Sequence, residues 1–148
     1  MEALLTAIVV WLSTNYDLQA SFNQPRVEFV SAAKMAGLLK KGIGLKQRNA
    51  IASSTSGSDI VSLYNNQTQT IYLRNGRNGR KPAELSILVH EMVHHLQNVG
   101  HLKFACPQER EELAYKAQDR WLSLFGHDLA RDFDLDSFTI LVKSKCLS

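Results

Sequence analysis

Apolar and polar positions along the chain switch between a helical period and a strand period, and each switch marks an element. Leu4 to Leu18 carry apolar side chains at helical spacing and read as a first helix. "RVEFV", Arg26 to Val30, follows a proline and alternates in polarity, which suits a strand. "SAAKMAGLLKK", Ser31 to Lys41, returns to helical spacing, with Ser31 as N-cap and Gly42 just past the end. The stretch "GIGLKQRNAIASSTSGSD" is polar, with a Ser/Thr/Gly-rich centre, and reads as a mobile loop. Two β-rich runs follow, Ile60 to Asn65 and Thr68 to Leu73, separated by the turn-like Asn66-Gln67; they predict a hairpin. "RNGRNGRKP", Arg74 to Pro82, reads as a solvated basic connection in preference to an anion site.

The last part of the chain is helical. Pro82 opens a helix lasting to about Asn98, and Pro107 begins another that reaches Phe125 before Gly126 ends it. The tail "DLDSFTILVKSKC" predicts a short final helix capped by Asp134 or Asp136. Asp132, Asp134 and Asp136 start like a calcium loop, but Ser137 replaces the required glycine and Lys143 the closing glutamate. They read as caps and turn residues. The order helix, strand, helix, hairpin, helix, helix, helix gives an α+β fold, and 148 residues suit one domain spanning residues 1–148.

Composition changes this picture little. A net charge of +3 without a basic run interleaved with aromatics gives no argument for nucleic acid. The N-terminal apolar stretch, Ala3 to Leu12, is too short to span a bilayer, and Glu2 stands where a signal peptide would carry a cation. It reads as an amphipathic first helix, and the compartment stays open between an exported protein whose signal was removed and a cytoplasmic one. Cys106 and Cys146 are too few for a disulfide scaffold. One bond closing the last two helices would favour an oxidising compartment, and two separate thiols are the alternative.

"SILVHEMVHHLQN", Ser86 to Asn98, sets histidines and a glutamate where a core helix would carry leucine or alanine. His90, Glu91 and His94 spell H-E-x-x-H. On a helix, positions four apart lie one turn above each other, so His90 and His94 can converge on one zinc ion. Glu91 lies about 100° around the helix, where it can act on a zinc-bound water without binding the metal. Leu85, Val89, Met92 and Leu96 fall on the opposite side, while Ser86 and Gln97 share the histidine face, which is expected to line a cleft. His95 points away and is not counted as a ligand.

A catalytic zinc site needs a third protein ligand. The metzincin pattern fails, because Gln97 and Gly100 stand where glycine and histidine belong, and His101 comes one residue late. In "PQEREELAYKAQDRWLSLF", Leu113, Ala114, Ala117, Trp121, Leu124 and Phe125 form the expected apolar face. Glu111 falls on the neighbouring stripe with Tyr115, Gln118 and Leu122. Glu112 falls on a solvent stripe with Lys116, Asp119 and Ser123. Glu111 is therefore the leading candidate and Glu112 the alternative.

"LVHEMVHHLQ" followed by "EREELAYKAQ" resembles the zincin metallopeptidases, specifically the gluzincin type, whose third ligand is a glutamate on the following helix. The pair is most similar to short bacterial zincin-like proteins of unassigned function. The resemblance covers about Ser86 to Phe125 and implies a minimal zincin-like fold. It implies zinc bound by His90, His94 and Glu111, with Glu91 as general base. Gluzincins often place an aspartate four residues after the ligand glutamate to orient a zinc-bound histidine; here that position is Tyr115. The expected function is a small zinc-dependent hydrolase, a metallo-endopeptidase acting on peptide or protein substrates laid along "TQTIYL". The alternative is a catalytically silent zincin-like binding module.

Overall fold

The computed structural model describes residues 1–43, 50–52, 60–76 and 81–146. Among them the order is α1 (Glu2–Asn15), β1 (Arg26–Val30), α2 (Ala32–Lys40), β2 (Ala50–Ala52), β3 (Ile60–Asn65), β4 (Thr70–Arg74), α3 (Pro82–Val99), α4 (Glu109–Ser123), α5 (Leu129–Phe133) and α6 (Ser137–Ser144). The fold is α+β, as expected. Its sheet is mixed and runs β1-β4-β3-β2, with β1 parallel to β4 and the other pairs antiparallel.

The sheet divides the protein into layers because its side chains alternate between faces. On β3, Ser62 and Tyr64 both reach α3, while Leu63 packs with Val30 and Met35 under α2. The larger core lies on the α3 side. There Leu5, Ile8, Val9 and Leu12 of α1 meet Ile87, Met92, Val93 and Leu96 of α3, together with Ala114, Ala117 and Leu122 of α4. Small alanines on α4 allow its backbone to approach α3 closely. Trp11 and Trp121 close the α1–α4 seam edge to face, ring centroids 5.1 Å apart.

Several boundaries differ from the sequence reading. Helix α1 stops at Asn15 instead of Leu18: Asn15 donates its side-chain amide to Trp11 O, and Tyr16 is extended. In the polar connection, Ala50–Ala52 forms the edge strand β2, while residues 44–49 and 53–59 lie outside the described residues, as do 77–80 of the basic loop. The hairpin turn is longer than Asn66-Gln67. It runs to Gln69, whose φ is 51°, and the Asn65 carboxamide accepts from Gln67 and Thr68 N–H. α5 was not foreseen; its five residues are too few for a periodic signal, and Asp128 caps it. Asp136, not Asp134, caps α6, and Asp134 ends α5 in the left-handed region. On α4, Leu124 and Phe125 are exposed, because the helix ends at Ser123 before they can turn inward.

The most consequential difference concerns β4. It is hydrogen-bonded to β1 on one side and β3 on the other, so "TQTIYL" has no free edge on which a peptide could pair. The sheet's outer strands are β1 and β2.

Cys106 and Cys146 form a disulfide across a sequence separation of 40, pinning the end of α6 to the loop before α4. Closing a loop of that size constrains the unfolded chain, which stabilises the fold by about 2–4 kcal/mol. Reduction, or the paired change Cys106→Ser/Cys146→Ser, is expected to lower the denaturant midpoint by a corresponding amount. Equal midpoints with and without reductant would show that the bond contributes nothing.

Candidate metal centre

Helix α3 is buried all round from Ser86 to Gln97, although Ser86, His90, Glu91, His94, His95 and Gln97 are polar. A buried polar group without a partner is costly, so each of these side chains demands a counterpart from another element. His95 finds two. Its Nε2–H donates to Asn23 O at 2.8 Å, and its Nδ1 lies 2.9 Å from the Tyr64 hydroxyl, which also accepts from Asn98. It thus fastens the loop before β1 to α3 and stays apart from the other two histidines, as the helical phase predicted.

His90 and His94 turn the other way, toward α4. Two hydrogen-bond chains fix their protons, and each starts at a backbone carbonyl, which can only accept. Ser86 Oγ donates to Ala83 O at 2.7 Å, so it accepts from Gln118 Nε2 at 3.2 Å. That leaves Gln118 Oε1 as acceptor for His90 Nδ1–H at 2.9 Å. In the second chain Gln97 Nε2 donates to Arg110 O at 3.2 Å, and Gln97 Oε1 accepts from His94 Nδ1–H at 3.0 Å. Both imidazoles therefore carry their proton on Nδ1 and present a bare Nε2.

These bare nitrogens face each other and a carboxylate. His90 Nε2 and His94 Nε2 are 3.2 Å apart; Glu111 Oε2 lies 2.9 Å from His90 Nε2, and Glu111 Oε1 lies 3.2 Å from His94 Nε2. Although that last distance is short, its angle makes no hydrogen bond, and Oε1 has no other partner among the described residues. Three electron-pair donors packed so closely require a cation between them. Two ligands at about 2.0–2.1 Å on a tetrahedral ion sit about 3.3 Å apart, close to the separations seen here. The buried His90, His94 and Glu111 group could hold a metal ion, its ligand atoms all lying within 4.8 Å of one another. Glu112, the alternative third ligand, is exposed and pairs with Lys145 at 3.9 Å.

With a proton as the only cation, the site is electrostatically tense. Burial pushes the His90 imidazole below its ordinary pKa. Burial acts on His94 in the same sense, but Glu111, Glu91 and Gln97 together outweigh it and the net direction is up. Burial favours the neutral form of Glu111, yet His94 and His90 hold its carboxyl well below the usual range.

Glu91 has a different surrounding. Burial pushes its carboxyl up to about 8, against the lowering influence of His94. Ser62 on β3 donates to Glu91 Oε1 at 3.0 Å, while Oε2 is buried without a partner among the described residues. In place of the expected cleft this face is buried among the described residues: Ser86, His90, Glu91, His94 and Gln97 are at most 1% exposed, because α4 and β3 cover it. Tyr115 packs its ring against His90, centroids 4.7 Å apart, and burial raises its hydroxyl pKa. It does not orient a histidine. Gln118 does that for His90 and Gln97 for His94. Sequence reasoning had put Gln118 on the stripe of Glu111 without giving it a task, and it missed Ser62.

Two outcomes follow from this geometry. Gln118→Ala frees the His90 ring and is expected to weaken divalent-metal affinity about 10–100-fold, read by competition with a chromophoric chelator. Glu91 is protonated in the folded chain up to about pH 8 and in the unfolded chain only to its model value of 4.5. Between those values the folded state binds the extra proton, so stability falls as pH rises through that window. Glu91→Gln removes this contribution. The metal-free variant should gain on the metal-free parent in thermal melts at pH 8 and show little gain at pH 5; equal gains at both would contradict the assignment.

No curated protein and no solved structure matches the chain. A domain of unknown function, DUF6647, matches it over residues 1–148, and the chain belongs to that family.

Proposed function

We propose that this protein is a zinc-dependent hydrolase of the gluzincin type, a small metallo-endopeptidase, with His90, His94 and Glu111 as metal ligands and Glu91 as general base. The observation that carries this reading is Glu91 itself. A structural metal site has no use for a buried carboxyl beside its ligands with one oxygen unpartnered among the described residues. Such a group is costly to bury, and in the metal-free chain burial pushes its carboxyl up to about 8, a perturbation typical of functional sites.

A divalent ion held by the three ligands supplies Lewis acidity and lowers the pKa of water toward roughly 7. Glu91 takes a proton on Oε2 and returns it to the leaving amine. Ser62 keeps Oε1 engaged, so that the proton is handled at the other oxygen. Gln118 and Gln97 hold the two imidazoles in the tautomer that offers Nε2. Because β4 is interior, an extended substrate would pair with an outer strand. We assign it to β2, whose neighbour β3 carries Ser62 against Glu91.

One observation favours a second reading. The ligands and Glu91 are sealed from solvent, as a metal that only joins α3 to α4 would be. Digestion of a peptide library by metal-loaded protein, with and without chelator, separates the two. Glu91→Gln is expected to keep its zinc and lose about 10²–10⁴-fold in cleavage rate, whereas His94→Ala loses both. A parent protein that binds zinc stoichiometrically and cleaves nothing supports the silent module.

A further inference from the structure

A cavity of about 470 Å³ lies where the α3–α4 loop meets the start of α4, lined by Leu102, Lys103, Phe104, Ala105, Cys106, Pro107 and Arg110. We propose that this cavity receives a carboxylate of the ligand, gripped by Arg110 and Lys103; the proposal rests on the peptidase reading, in which the ligand is the peptide substrate.

Arg110 carries the inference. Its guanidinium stays charged and offers five donors in a planar fork that matches a carboxylate edge to edge. Arg110 Cζ lies over the Phe104 ring, 5.4 Å from its centroid, which steadies the group. Nη1 is buried and has no hydrogen-bond partner among the described residues, so the fork is incompletely satisfied as it stands. A buried donor left unpaired is unfavourable, and an oxygen anion entering the cavity offers the acceptors. Lys103 adds a second positive charge on the cavity wall. Glu109, on the same turn, has its Oε2 engaged by the N–H of the lining residue Ala105 at 2.9 Å. Leu102, Phe104, Pro107 and the Cys106–Cys146 disulfide give the cavity an apolar side, suited to the hydrocarbon next to the carboxylate.

The cavity is also tied to the metal centre. Arg110 immediately precedes the ligand Glu111, and its carbonyl anchors Gln97, which holds His94. A carboxylate seated here would be an acidic side chain of the substrate or the C-terminal carboxylate of its chain.

Calorimetric titration of the full chain with N-acetyl-phenylalanine, its amide, and the α-amide of N-acetyl-glutamate tests this directly. At least one carboxylate should bind about tenfold or more tightly than the phenylalanine amide, and the tighter of the two identifies the source. Arg110→Gln should abolish that preference. Arg110→Lys, which keeps charge and bulk, should retain part of it. Lys103→Gln, on an exposed side chain, should weaken it a few-fold without affecting folding. The preference should persist after the metal is chelated. Loss of the preference on chelation would mean that the carboxylate sat on the ion, and equal affinity for acid and amide would mean that no such site exists; either overturns the proposal. Failure of the peptidase reading looks different: carboxylate binding intact, with no cleavage.

Discussion

Three electron-pair donors share a small volume that water does not reach, and a cation must reconcile them. Most of the interior is arranged around that constraint. His90 and His94 come from consecutive turns of α3, and Glu111 from the first turn of α4, so the two helices must lie side by side at the level of these three side chains. Ala114 and Ala117 make the approach possible, and Leu122 packs the far end. The imidazoles could still rotate or exchange tautomers, which would blur the site. They are prevented from doing so by amide chains that end on Ala83 O and Arg110 O. A backbone carbonyl has no proton to give, so the direction of every bond in each chain is forced.

The sequence reveals the parts of this arrangement that depend on helical phase. His90 and His94 four apart, His95 turned aside, and Glu111 separated from Glu112 by one position of the helix all follow from the angle per residue, and the structure agrees. Contacts between distant elements leave no comparable trace. Gln118 meets His90 across 28 positions, and Ser62 meets Glu91 across 29; nothing local in either segment announces the pairing. A run of polar residues on one helix face also looks the same whether it meets solvent or a set of polar partners. For that reason Ser86 and Gln97 suggested a cleft where the chain has a polar core.

Strand order escapes the sequence for a related reason. The hairpin of β3 and β4 is local, and turn chemistry reveals it. The parallel pairing of β1 with β4 joins segments some forty positions apart, with Arg26 opposite Thr70, and it converts an apparent edge into an interior strand. β2 is three residues long and sits in a Ser/Thr/Gly-rich stretch, too short for alternation to register. Element type is thus legible where a period has room to repeat. Element position depends on which partner buries which face.

On the peptidase reading, charge balance links Glu91 to the metal. With a proton as the cation, the carboxylates beside it pull the His94 imidazole toward its charged form, and burial pushes the Glu91 carboxyl toward its neutral form, up to about 8. A divalent ion in the same place brings one more positive charge than that proton. The amides that hold the imidazoles are neutral, whereas an aspartate in that role would have cancelled the excess. The carboxyl able to balance it is Glu91, which then becomes the anion. On the peptidase reading, loading the metal draws the proton from Glu91, and the same event that creates the Lewis acid creates the base.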